Sequence, residues 1–177
     1  MPNRDVKAAG RSVSFFEERT VRWNREKGSI RMIDQSLLPM ELRFIECSNV
    51  EQTVGAIKSL KVRGAPAIGV CGAMGVAIAV RKSDARTKRE LLQDIDSDCV
   101  SLKSARPTAI NLAWGVEQVL DYIRKNIPEN LDEVDHKKIV VDFVEELAEK
   151  DVATNKKLSD LGSNLFKNGD RVLTHCN

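Results

Sequence analysis

Hydrophobic and polar positions change period several times along this chain, and each change predicts an element. Residues 20–23 and 29–34 alternate in the manner of half-buried strands, with Asn24-Arg25-Glu26-Lys27-Gly28 as the turn between them. Residues 35–40 contain Pro39 and interrupt the pattern, and residues 41–47 alternate again as a third short strand. From Ser48 the spacing becomes helical. Ser48-x-x-Glu51 has the form of a capping box, followed by Val50, Val54 and Ile57 on one face. Residues 65–80 run without a charge between Arg63 and Arg81, with Gly69, Gly72 and Gly75 at every third position. That predicts a buried helix with one face bare enough for another backbone to approach. Residues 87–102 read as one amphipathic helix, and Leu112, Val116, Val119, Leu120 and Ile123 stripe the next. After a polar loop at 128–135, Ile139, Val140, Phe143, Val144 and Leu147 open a long helix. Leu158, Leu161 and Leu165 continue its stripe towards a left-handed end at Asn168-Gly169. Residues 171–175 then read as a short buried strand, and the first dozen residues as a loosely held terminus.

Composition narrows the class. Hydrophobic residues make up 42% and charged residues 31% of the 177, the balance of a globular protein with one sizeable core. The formal net charge is +2 and aromatics are 5%, with no basic stripe, so no nucleic-acid partner is expected. The uncharged run at 65–80 is shorter than the ~20 residues a membrane span requires, so no membrane partner is expected either. Cys47, Cys71, Cys99 and Cys176 form no C-x-x-C pair and follow no secretory leader, and read as reduced thiols of a cytoplasmic protein. No metal-ligand spacing is present, and His136 reads as a solvated residue at a charged helix start.

Three short segments carry candidate chemistry. In Arg63-Gly64-Ala65-Pro66, Pro66 suits the first turn of a helix, whose free N–H groups and partial positive charge hold phosphate. Gly64 lets the backbone come close, and the Arg63 guanidinium can grip phosphate oxygens in a fork. A tight turn with a surface arginine fits the same four residues equally well. Arg106 precedes Pro107-Thr108, which read as a second helix start, and two such arginines could converge on one anion. Thr174-His175-Cys176-Asn177 places a thiol at a strand's carboxyl edge, where ligands bind in open α/β sheets. Cys176 there is either an acid–base group or a buried structural cysteine.

V-R-G-A-P-A-I-G-V, L-K-S-x-R-P-T-A-x-N-L-x-W and G-D-x-x-L-T-H-C-N, in this order, resemble the methylthioribose-1-phosphate isomerase family. T-V-R-W at 20–23, I-D-Q-x-x-L-P at 33–39 and N-K-K-x-x-x-L-G at 155–162 fit it too. The resemblance covers the chain from Thr20 to Asn177. Its wider superfamily includes ribose-1,5-bisphosphate and 5-deoxyribose-1-phosphate isomerases and regulatory subunits of a translation-initiation exchange factor. The resemblance implies an α+β N-terminal domain at 1–168, made of a small antiparallel sheet plus a helical bundle. The first strand of a truncated Rossmann-like α/β domain follows at 169–177. It implies an aldose–ketose isomerase of methionine salvage, acting on a small-molecule sugar phosphate without metal or organic cofactor, homodimeric at full length. Arg63, Gly64 and Ala65 then match the substrate-phosphate loop, Arg106 a second substrate-binding arginine, and Cys176 the catalytic cysteine. Gly72-Ala73-Met74-Gly75 departs from the family's A-A-Y-G and bears on which sugar is accepted. The last residues fall inside the family's T-H-C-N-A-G motif, so its catalytic aspartate is expected outside these 177 residues and the chain alone is expected to be inactive.

Overall fold

In the computed structural model, residues 6–8, 11–13 and 19–173 are described. Two short strands, β1 (Val6–Ala8) and β2 (Arg11–Val13), pair antiparallel where a loose terminus was expected. β3 (Val21–Asn24), β4 (Ser29–Ile33) and β5 (Phe44–Cys47) form an antiparallel sheet in sequence order. Register follows the apolar alternation: Trp23 pairs Ile30 and Ile30 pairs Cys47, all three buried. Gly28, at φ +61°, closes the β3–β4 turn. Glu46 pins that turn, its carboxylate accepting from Asn24 Nδ2 at 2.6 Å, Lys27 Nζ at 2.5 Å and Ser29 Oγ at 3.0 Å.

Six helices pack beside the sheet: α1 (Val50–Lys58), α2 (Ala65–Lys82), α3 (Lys88–Asp94), α4 (Asp96–Ser104), α5 (Ile110–Asn126) and α6 (His136–Ser163). α2 is the centre of the core, with every residue from Ile68 to Val80 buried. It is the one described helix long and apolar enough to cross a membrane, yet it lies wrapped by α1, α4, α5, α6 and the sheet. Its glycines do what their spacing predicts. A Cβ on Gly69 would lie 2.9 Å from the Asn111 carbonyl, one on Gly72 2.7 Å from Leu112, and one on Gly75 2.8 Å from Leu102. α5 contributes a glycine of its own, Gly115, packed against the Gly69 carbonyl.

Several boundaries depart from the pattern-based expectation. The cap of α1 is Asn49, whose Oδ1 accepts from Gln52 N–H at 2.7 Å, one residue beyond the expected Ser48. The 87–102 stretch is two helices meeting at Ile95, whose ψ of −4° breaks the helical run while Leu91, Ile95, Cys99 and Leu102 stay buried. A full capping box, Thr87 with Glu90, starts the first of them. Pro107-Thr108 does not start α5. The Ala109 N–H donates to the Arg106 carbonyl at 2.9 Å, making a turn, and the helix begins at Ile110. His136 is buried rather than solvated, because a turn from Val134 directs the first residue of α6 inward. α6 ends at Ser163, short of Asn168-Gly169. Past Val152 it has little to pack on, and Leu158, Leu161 and Leu165 are exposed. Arg171–Leu173 are exposed coil, with Leu173 98% accessible, because no described strand lies beside them to pair. The described residues are therefore an α+β domain: a small antiparallel sheet and a helical bundle sharing one core.

Candidate functional site

The start of α2 is built from two uncommon backbone states. α1 ends in a Schellman motif: Lys61 N–H donates to the Ala56 carbonyl at 2.9 Å and Leu60 N–H to Ile57 at 3.3 Å. That places Leu60, a non-glycine, at φ +59°. Four residues on, Gly64 takes φ +91° and ψ 132° as the N-cap, with no side chain to satisfy the helix end. Pro66 has no N–H, and the N–H groups of Ala65 and Ala67 find no acceptor among the described residues. The first inward bond is Ile68 N–H to the Gly64 carbonyl at 3.0 Å. Two free amides and the positive end of a helix of 18 residues thus share one point.

Arg63 immediately precedes this end. It is half-buried, and its Nε is fully covered by protein without a hydrogen-bond partner. With Nε covered, it is the terminal nitrogens of the guanidinium that would grip an anion at the α2 start.

Gly64, Pro66 and Ala67 open into a cleft of about 780 Å³ whose walls come from separate parts of the chain. Arg19 to Trp23 line one side, Val70 and Met74 the floor, and α6 residues including Asp151, Asn155 and Lys156 the other side. Three ion pairs, made by two arginines, cross from the sheet side to α6. Arg19 donates to Glu149 at 2.9 Å, and Arg25 to Asp142 at 2.6 Å and to Glu145. These solvent-screened pairs orient the walls more than they stabilise them. Burial pushes the Asp151 carboxyl above its ordinary value, with the Asn155 amide opposing the shift.

The cleft thus gathers parts of three stretches singled out in the sequence: T-V-R-W, Gly64 and Pro66 of the R-G-A-P loop, and N-K-K-x-x-x-L-G; Arg63 and Ala65 are not among its lining residues. Met74 lies on its floor and is 1% exposed. Arg106 is half-buried in the turn before α5 and does not line this cleft. The two regions are nonetheless neighbours, since the first turn of α5 at Asn111 packs on Gly69 in the first turns of α2. Cys176 lies outside the described residues. Cys47, Cys71 and Cys99 are buried and removed from this chemistry: burial raises all three thiols, Cys99 to about 12. Among the described residues no group of His, Cys, Asp and Glu is placed to hold a metal ion. Trp23, Gln35, Asp151 and Asn155 were not singled out individually from the sequence; the motifs containing Trp23, Gln35 and Asn155 were its signal.

Residues 61–177 match the initiation factor 2 subunit family. A methylthioribose-1-phosphate isomerase of Acetivibrio thermocellus is 37% identical over 150 residues, spanning 85% of this chain and 43% of that relative. Among solved structures, 5-methylthioribose 1-phosphate isomerase from Pyrococcus horikoshii aligns with a TM-score of 0.66 and 36% identity, over 75% of this chain and 36% of that one. Translation initiation factor eIF-2B subunit delta from A. fulgidus aligns with a TM-score of 0.75 and 40% identity, over 90% of this chain and 45% of that one. The chain therefore spans less than half the length of these relatives.

Proposed function

Because the chain belongs to the initiation factor 2 subunit family, whose similar members include named isomerases, we propose that it is the N-terminal part of an aldose–ketose isomerase. The substrate proposed is 5-methylthioribose 1-phosphate, the product 5-methylthioribulose 1-phosphate. The observation that carries this reading is the α2 start: free amides at Ala65 and Ala67 at the positive end of an 18-residue helix, directly after Arg63 in the chain. An anomeric phosphate locks the sugar ring, so the enzyme must hold that phosphate while the ring oxygen is protonated and hydrogen moves from C2 to C1. In this reading Arg63, Gly64 and Ala65 hold the phosphate, and Arg106 binds it from the α5 side. Cys176 acts at the carbons as a proton carrier or in support of a hydride shift. Residues 169–177 open a Rossmann-like domain that supplies the acid for ring opening, and the full-length protein is a cytoplasmic homodimer. Met74, packed beneath the cleft, shapes its floor and so bears on which 5-substituent is accepted.

The test is a chimera of this chain with the C-terminal part of the Acetivibrio thermocellus relative, assayed for ketose formation. Turnover is expected, with Arg63→Ala chiefly raising KM and Cys176→Ala abolishing kcat. Normal turnover in the cysteine variant overturns its role. Competition with 5-deoxyribose 1-phosphate and ribose 1,5-bisphosphate identifies the sugar.

The likeness to an initiation-factor subunit of A. fulgidus favours a second reading, a non-catalytic interaction platform. Retention of initiation-factor partners in a pull-down, together with no sugar-phosphate binding, would select it. The free amides at the α2 start argue against it, since a scaffold has no use for a helix end left open to an anion.

A further inference from the structure

We propose that Gln35 is a positioning residue for the anion loop, holding Arg63 and Gly64 in their ligand-ready geometry; the inference rests on the phosphate reading of that loop. The Schellman bonds of α1 hold the loop only as far as Lys61, with Leu60 at φ +59°. Gly64 at φ +91° is in a state that glycine enters freely and does not by itself enforce. The further bonds that fix the loop come from residues following β4.

Gln35 clasps the loop twice. Its backbone N–H donates to the Lys61 carbonyl at 2.9 Å, and its side-chain Nε2 donates to the Arg63 carbonyl at 3.1 Å. The two acceptors flank Val62, which is fully buried and supplies the apolar anchor between them. Asp34 adds a third hold through Lys61 Nζ at 3.7 Å. The clamp itself is fixed: Asp34 N–H donates to the Arg43 carbonyl at 2.8 Å, Ser36 N–H donates back to Asp34 Oδ1 at 3.1 Å, and Ile33 N–H donates to Thr20 at 3.0 Å.

The consequence falls on the anion site. The Arg63 carbonyl and the Gly64 N–H belong to one planar peptide. Fixing the oxygen through Gln35 fixes the direction of the Gly64 amide and where the Arg63 side chain leaves the backbone. This assigns a role to the third residue of I-D-Q, which the substrate contacts alone leave unexplained.

The test titrates the 177-residue chain with inorganic phosphate, following backbone amides by NMR, in wild type, Gln35→Glu, Gln35→Ala and Arg63→Ala. Gln35→Glu keeps the shape and the backbone bond but turns the donor into an acceptor facing a carbonyl. Expected are a urea midpoint close to wild type, shifted Gly64 and Ala65 amides before any phosphate is added, and about tenfold weaker binding. Gln35→Ala should weaken binding less than Gln35→Glu, because it removes the bond without adding repulsion. If wild type binds phosphate in an Arg63-dependent way while Gln35→Glu leaves both the amides and the affinity unchanged, the positioning role is overturned and the anion reading stands. If wild type does not bind at Gly64, the anion reading fails and this inference falls with it.

Discussion

Gly115→Ala tests the packing that places the site. The α2–α5 contact is the most extensive between helices in the bundle, and it brings the Arg106 turn and the Arg63 loop to the same end of the domain. A Cβ on Gly115 would sit 2.1 Å from the Gly69 carbonyl oxygen, where ordinary contact begins near 3.4 Å. The two helices would have to separate by about 1.3 Å, and no flexible side chain can absorb the clash because the obstacle is backbone. Overpacking of this kind costs about 1–3 kcal/mol, and a backbone obstacle puts it at the upper end. Alanine recovers about 1 kcal/mol of helix propensity, leaving a net loss of about 2 kcal/mol. With a urea slope near 2 kcal/mol/M the midpoint should fall by about 1 M at unchanged slope. Gly55→Ala in α1 is the matched control, since nothing lies within 4 Å of its Cβ. It should stabilise by about 0.5–1 kcal/mol. A Gly115→Ala midpoint equal to or above wild type would refute the reasoning, because propensity would then have outweighed the close approach.

Gly64→Ala isolates backbone strain from packing. Its Cβ meets open space, so the expected loss of about 1–3 kcal/mol comes from φ +91° alone, and phosphate binding should weaken with it. Buried Cys47, Cys71 and Cys99 should resist a thiol reagent such as DTNB at pH 8 until the chain unfolds; prompt reaction of any of the three would contradict their burial. Their raised thiols also set a sign: only the unfolded chain ionises them near pH 8.5, so stability should decline as pH rises above that value. Glu46 gives the opposite case, its carboxyl held low by the Lys27 hydrogen bond against partial burial, with Asn24 and Ser29 adding. Its contribution is present above the ordinary carboxylate value and lost as pH falls through the lowered one. Glu46→Gln should therefore flatten the acid limb of the urea midpoint against pH, and an unchanged limb would deny the pairing.

What the sequence made legible follows from local physics. Alternation at 20–23, 29–34 and 41–47 placed the strands because one face of each is buried against the helices. The glycine spacing of 69, 72 and 75 announced a close approach, but not its partner. Gly115 is a lone glycine in its helix, and only the crossing of α2 and α5 gives it meaning. The stops were less legible. Thr87 to Leu102 keeps an apolar stripe through the break at Ile95, so periodicity alone joins α3 to α4. The leucines of distal α6 keep helical spacing without a described surface to cover, and the strand expected at 171–175 finds no neighbour among the described residues. At the site, R-G-A-P was readable as a helix start carrying an arginine. The orphaned Arg63 Nε and the grip of Gln35 depend on contacts across 28 residues of sequence and were not.

The most direct measurement is a backbone-amide titration of this chain with 5-methylthioribose 1-phosphate, in wild type and Arg63→Ala. The account predicts saturable shifts at Gly64, Ala65 and Ala67, extending to Trp23 and Met74, and their loss in the arginine variant. Shifts absent from the α2 start, or identical in both proteins, would contradict it.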